Sequence, residues 1–176
     1  MSLLSTKKSF RLILPLLLVM LVGACGYGLR GTRQLRGDYH KVAVQPFANQ
    51  TYESLIENYI YNALVEEFAR GKSLEVVRAA DADLLIRGTI VKVDSYSISY
   101  SPDDKTYEYR ASLNLNVEAI DAHTLKTVWS RNGMHEVEEY KASREPLEID
   151  RNKQIALKKI CKILAENIHD GLFNNF

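Results

Sequence analysis

From Ala111 to Ala119 apolar and polar positions alternate without a break. Ala111, Leu113, Leu115, Val117 and Ala119 are separated by Ser112, Asn114, Asn116 and Glu118. A period of two gives a strand with one buried and one wet face, here within a β-rich run from Thr106 to Ile120. Similar runs cover Ala82 to Tyr100 and Leu125 to Tyr140. Two shorter strands are predicted at Lys41 to Phe47, closed by Pro46 and a turn at Asn49-Gln50, and at Leu74 to Arg78. The period changes twice to that of a helix. Leu55, Ile56, Tyr59, Ile60, Ala63, Leu64 and Phe68 share one helical face, with Thr51 placed to cap it, Glu53 in its first turn and Gly71 to end it. Ala156, Leu157, Ile160, Cys161, Leu164, Ile168 and Leu172 mark a C-terminal helix that Ser143 or Asp150 opens. The order β-α-β-β-β-β-α predicts an α+β, two-layer sandwich: two amphipathic helices on one face of a mostly antiparallel mixed sheet.

The longest hairpin turns at Pro102-Asp103-Asp104-Lys105. Pairing Ser101 with Thr106 sets Tyr100 opposite Tyr107, Ile98 opposite Tyr109 and Tyr96 opposite Ala111. Tyr96, Ile98, Tyr100, Tyr107 and Tyr109 then share one face. Lys92 and Asp94 have the parity of Tyr96 while Val91 and Val93 do not, so a bulge is expected nearby. The tyrosine-rich face suits a protein interface, because Tyr offers apolar area and a polar tip. Packing of the same side chains within the fold is the other reading.

The N-terminus is of a different kind. Leu12 to Ala24 is apolar or small throughout, preceded by Lys7, Lys8 and Arg11 and by no acid. That is the order of a secretory signal, and it is too short for a spanning helix of about 20 residues. Val22-Gly23-Ala24-Cys25 resembles the lipobox of bacterial lipoproteins, which implies acylation of Cys25 and cleavage before it. Gly26 in second place implies sorting to the outer membrane. Residues 1–24 are thus expected to be a signal, 25–40 a lipidated tether and 41–176 one domain. The mature chain would hold 20 basic and 22 acidic residues, which argues against nucleic acid as a partner. With Cys25 acylated, Cys161 has no cysteine to pair with.

Catalytic and metal chemistry find little support. Gly26-Tyr27-Gly28-Leu29-Arg30-Gly31 matches G-x-G-x-x-G, but no strand precedes it and no helix follows, as a dinucleotide site requires. His40, His123, His135 and His169 have no ligand spacing. Glu136, Glu138 and Glu139 read as a solvated strand edge. Cys161 lies on an apolar helix face, the setting of a small core residue. No catalytic set, metal site or cofactor is expected, and hence no enzyme.

Several stretches together resemble the LptE family of lipopolysaccharide-assembly lipoproteins. Cys25-Gly26-Tyr27-Gly28-Leu29-Arg30-Gly31 is similar to its mature start, and Val42 to Thr51 to its first strand and turn. Glu67-Phe68, Ala82 to Gly88, Tyr109-Arg110 and Val128-Trp129-Ser130 also fit. The resemblance implies a non-enzymatic, outer-membrane lipoprotein on the periplasmic side that plugs the barrel LptD and takes part in lipopolysaccharide transport. The strand-turn segment is shared loosely with activators of peptidoglycan synthases and with curli-secretion proteins, and such a scaffold is the alternative. The short tether, about 15 residues, favours the first reading. Phosphate contacts would come from Arg or Lys close to an exposed sheet end. Lys105 and Arg110 are the first candidates, with Arg87 and Arg131 behind them.

Overall fold

The computed structural model describes residues 39–100 and 106–174, the side chains of Tyr100, Thr106, Tyr107 and Asn174 excepted. The signal, Cys25, the tether and the hairpin turn with Lys105 lie outside the described residues. The elements are β1 (Lys41–Val44), β2 (Ala48–Asn49), α1 (Ile56–Gly71), β3 (Glu75–Val76), β4 (Leu84–Tyr100), β5 (Thr106–Asp121), β6 (Thr127–Lys141) and α2 (Pro146–Asn174), with a 3-10 turn at Ala79–Asp81. The fold is α+β: two helices packed on a mixed open sheet. Beyond the expected order it has only the two-residue β2.

The strands lie in the order β3-β1-β4-β5-β6, with β2 beside β4. β1 runs parallel to β3 and β4, and β2 is parallel to β4, while β4, β5 and β6 are antiparallel. The alternation read from β5 holds: Ala111, Leu113, Leu115, Val117 and Ala119 are all buried under the helices. α1 adds Ile56, Ile60, Leu64 and Phe68, and α2 adds Leu157, Ile160, Leu164, Ile168 and Leu172. Each fully buried side chain of this size is worth about 1.5–3 kcal/mol of transfer free energy.

Both helix starts differ from expectation, the second helix opening at Pro146 rather than at Ser143 or Asp150. Thr51 does not cap α1. Asn49 Oδ1 accepts from the Thr51 amide (2.9 Å) and hydroxyl (2.8 Å), closing a turn, while Leu55 at φ 67° occupies the cap position. Gly71 ends the helix as expected, but not as its left-handed cap. It is the last helical residue, and Lys72 at φ 53° takes the left-handed position. Gly71 is explained by packing: a Cβ there would stand 2.5 Å from Nε2 of His169 on α2. His169 is itself wedged between Phe68 and Phe173, its ring centroid 5.4 and 4.7 Å from theirs. Pro146, which needs no amide partner, opens α2.

The bulge expected near Lys92 is present, a register shift between Ile90 and Lys92. It lets Ile90 and Val93 both face the helices, opposite Leu115 and Leu113. The tip register differs from the expected one. Further shifts between Ser97 and Ser99 and between Ser99 and Tyr100 place Tyr100 opposite Thr106, Ser97 opposite Tyr109, Tyr96 opposite Arg110 and Ser95 opposite Ala111. Each shift reverses the parity of the residues beyond it. Tyr96 and Tyr109 therefore lie on opposite faces of the sheet, and Ile98 is passed over in the pairing.

Candidate functional site

The strands present a second face that no helix covers. Arg110, Ser112, Asn114, Asn116 and Glu118 on β5 point there, because their neighbours in sequence point to the core. Register brings Arg87, Thr89, Lys92, Asp94 and Tyr96 of β4 beside them on one side, and Ser130, His135, Val137 and Glu139 of β6 on the other. This face is held by cross-strand hydrogen bonds rather than by apolar contact. Arg87 Nε donates to Glu118 Oε1 (2.7 Å), and Thr127 Oγ1 donates to Glu118 Oε2 (3.1 Å). The Gly133 amide donates to Asn116 Oδ1 (2.8 Å), and His135 pairs with Asn114. Arg110 donates to Glu139 (2.5 Å) and also bonds Tyr96.

These pairings shift the charges they tie. The Arg87 guanidinium, followed by the Thr127 hydroxyl, holds the Glu118 carboxyl below its ordinary range against the cost of partial burial. Glu139, then Tyr96, raises Arg110 further. At the end of the sheet where β1 begins, Asp121 accepts amides of Thr124 and His123 and the Tyr39 hydroxyl (3.0 Å). The Thr124 amide is the strongest cause of its lowering to about 2. Asp83 beside it is lowered by the His40 amide first, then by that of Lys41 and by His123.

The four cations nominated from sequence do not form one cluster. Arg87 and Arg131 are at the same end of the sheet but differ in parity: Arg87 lies opposite Glu118 on the helix-free face, whereas Arg131 lies opposite the buried Val117. A depression of about 440 Å³ beside Glu118 is lined by Thr89, Asn116, Thr127, Ser130 and Asn132, and neither arginine lines it. Arg110 is eight residues further along β5, roughly 27 Å at strand rise. Lys105 lies outside the described residues.

The tyrosines divide as well. Tyr96 is 48% exposed on the helix-free face. Tyr109, half-buried on the other face, stacks on Tyr140 at 5.3 Å, and the Tyr140 hydroxyl bonds Ser95 Oγ (2.5 Å). Ile98 is half-buried, and the side chains of Tyr100 and Tyr107 are not among those described. Asn114, Asn116 and Tyr140 are participants that sequence reasoning read only as wet or strand positions. Their bonds cross between strands far apart in sequence, so no local signal announces them.

Among the described residues no group of three or more His, Cys, Asp and Glu could hold a metal ion. Cys161 is buried among apolar side chains, and that burial pushes its thiol up to about 12. No described helix is long and apolar enough to cross a membrane.

The molecule so defined is a small α+β domain with one face apolar and helix-covered and the other polar and open. The model of the LptE family, described as lipopolysaccharide assembly, matches residues 39–172. The chain belongs to the LptE family. Among curated proteins none matches it. Solved structures share the fold. The rare lipoprotein B of Shewanella oneidensis superposes with a TM-score of 0.53 at 14% identity, over 77% of this chain and 96% of that one. Lipoprotein B of Nitrosomonas europaea gives 0.52 at 17% identity, over 81% and 87%.

Proposed function

We propose that this chain is an outer-membrane lipoprotein, anchored through acylated Cys25 on the periplasmic side, that plugs the barrel LptD and supports its assembly. In that place it takes part in moving lipopolysaccharide to the outer leaflet and catalyses no reaction. The observation that carries the reading is the family match across residues 39–172. The helix-free sheet face supports it. Barrel interiors are polar, and an insert needs a surface whose polar groups are largely satisfied, as the Arg87–Glu118 and Asn114–His135 pairs are. Arg87 with Arg131 at one end of the sheet, and Arg110 with Lys105 toward the hairpin, are the proposed contacts to lipid phosphates. Depletion of the chain from cells should leave newly made lipopolysaccharide in the inner membrane. Normal delivery to the outer leaflet after depletion would contradict the proposal.

A further inference from the structure

A sheet has edges as well as faces, and the described sheet has three. At β3 the edge is two residues long. At β6 it is long but guarded. Glu136, Glu138 and Glu139 line it, Lys159 of α2 holds Glu138 (2.8 Å), Asn167 holds Glu136 (3.1 Å), and Asn152 covers the Lys141 carbonyl (3.1 Å). Charges and a covering helix are how native proteins keep an edge from pairing.

The third edge is guarded more lightly, by the bulge after Ile90 and the single pair Lys92 and Asp94. β1 covers Leu84 to Ile86 of β4 and β2 covers Thr89 and Ile90, after which the Gln50 amide makes a last bond to the Ile90 carbonyl (3.0 Å). From Lys92 to Tyr96, among the described residues, the strand is paired on its β5 side only, while Val91 is passed over at the bulge. Five residues is an ordinary strand length. From Val91 the segment reads Val-Lys-Val-Asp-Ser-Tyr, and its two charges, Lys92 and Asp94, neutralise each other at 2.6 Å. A cavity of about 290 Å³ opens between Thr51, Tyr52 and Glu53 on one side and Val91 to Val93 on the other, where the row of β2 would continue. Two exposed apolar groups, Tyr52 and Val91, line it. The bulge turns Val91 outward (44% exposed), and Tyr52 is fully exposed.

We infer that Val91–Tyr96 is a strand-addition site: an extended, uncharged segment of a partner protein continues the row of β2 along β4. Main-chain hydrogen bonds supply the affinity in this mode, and side pockets supply the choice of sequence. The absence of net charge along the edge selects a neutral segment. Tyr52 and Val91 provide apolar contact for its alternate side chains.

The test is residue-resolved hydrogen exchange on the tagged full-length chain extracted from membranes with its partner, compared with the same chain stripped to a monomer. Amides between Val91 and Tyr96 should exchange at least about tenfold more slowly in the complex, with β6 unchanged. A Val91→Lys/Tyr96→Lys double variant should lose that slowing while core amides keep theirs. Equal exchange in complex and monomer overturns the inference even if LptD is the protein extracted. Slowing that depends only on the concentration of the pure chain also overturns it, because the occupant is then a second copy. Should the chain emerge alone, the barrel reading fails. The edge is then judged with a synthetic heptapeptide of alternating Thr and Val added to the pure chain. Slowing of the Val91–Tyr96 amides supports the inference, and none sinks it.

Discussion

The two faces of the sheet are made from the same strands, residue by residue in alternation, yet they are held by different physics. Under the helices, Leu113 and Leu115 are secured by volume, packed into the apolar core with no exposure remaining. One residue away, Asn114 and Asn116 are secured by single hydrogen bonds to β6 in contact with water. The first arrangement is energetically deep and indifferent to partners. The second is shallow, and a partner can replace its bonds at little cost. Stability is therefore concentrated on one face, and the other is free to meet a partner.

Substitution should make that contrast measurable. Leu113→Ala leaves a cavity beneath the helices and should cost about 2–5 kcal/mol in denaturant unfolding. A loss as small as that from a surface change would show the helix-covered face to be loosely packed. Gly88→Ala comes next. Its Cβ would meet the Asn116 carbonyl at 2.5 Å and the Phe47 ring at 2.3 Å, so about 1–3 kcal/mol should be lost. Asn114→Ala removes one exposed bond, and about 0.5–1.5 kcal/mol is expected by the same measurement. A double-mutant cycle on Arg87 and Glu118, where the arginine is 55% exposed, should return less than about 1 kcal/mol. The contrast between faces breaks if Asn114→Ala costs as much as Leu113→Ala.

Acid should act on one end of the sheet. Asp121 titrates lower in the folded chain, at about 2, than in the unfolded one, so its contribution to stability is present above pH about 4. It fades as pH falls through about 2. Asp83 is displaced in the same direction. Asp121→Asn, which keeps an acceptor but no titrating group there, should flatten the acid limb of a thermal melting profile recorded against pH. An unchanged limb would show that the Tyr39, His123 and Thr124 bonds do not stabilise the charged form.

The helix-covered face was legible in the sequence because burial imposes a period, and periods are local. The strands, both helices, the bulge beside Lys92 and the class of fold all rest on that pattern. The features it missed depend on distance. Thr51 has the chemistry of a cap, but Asn49 takes its hydroxyl for a turn. Gly71 ends its helix, but its reason is the ring of His169, 98 positions away. The hairpin register failed because two irregularities between Ser97 and Tyr100 lie in a stretch of alternating Ser, Ile and Tyr that suits either parity. On the helix-free face, alternation predicted polarity without naming partners, so Arg87 and Arg110 were nominated without Glu118 and Glu139 opposite them.

The central claim is that the chain works as one half of a complex with an outer-membrane barrel. The most direct measurement is purification of a tagged full-length chain from outer membranes in mild detergent, with the stoichiometry of the proteins that accompany it. LptD is expected to accompany the chain through size exclusion. Recovery of the chain alone, or with a different envelope machine, would contradict it.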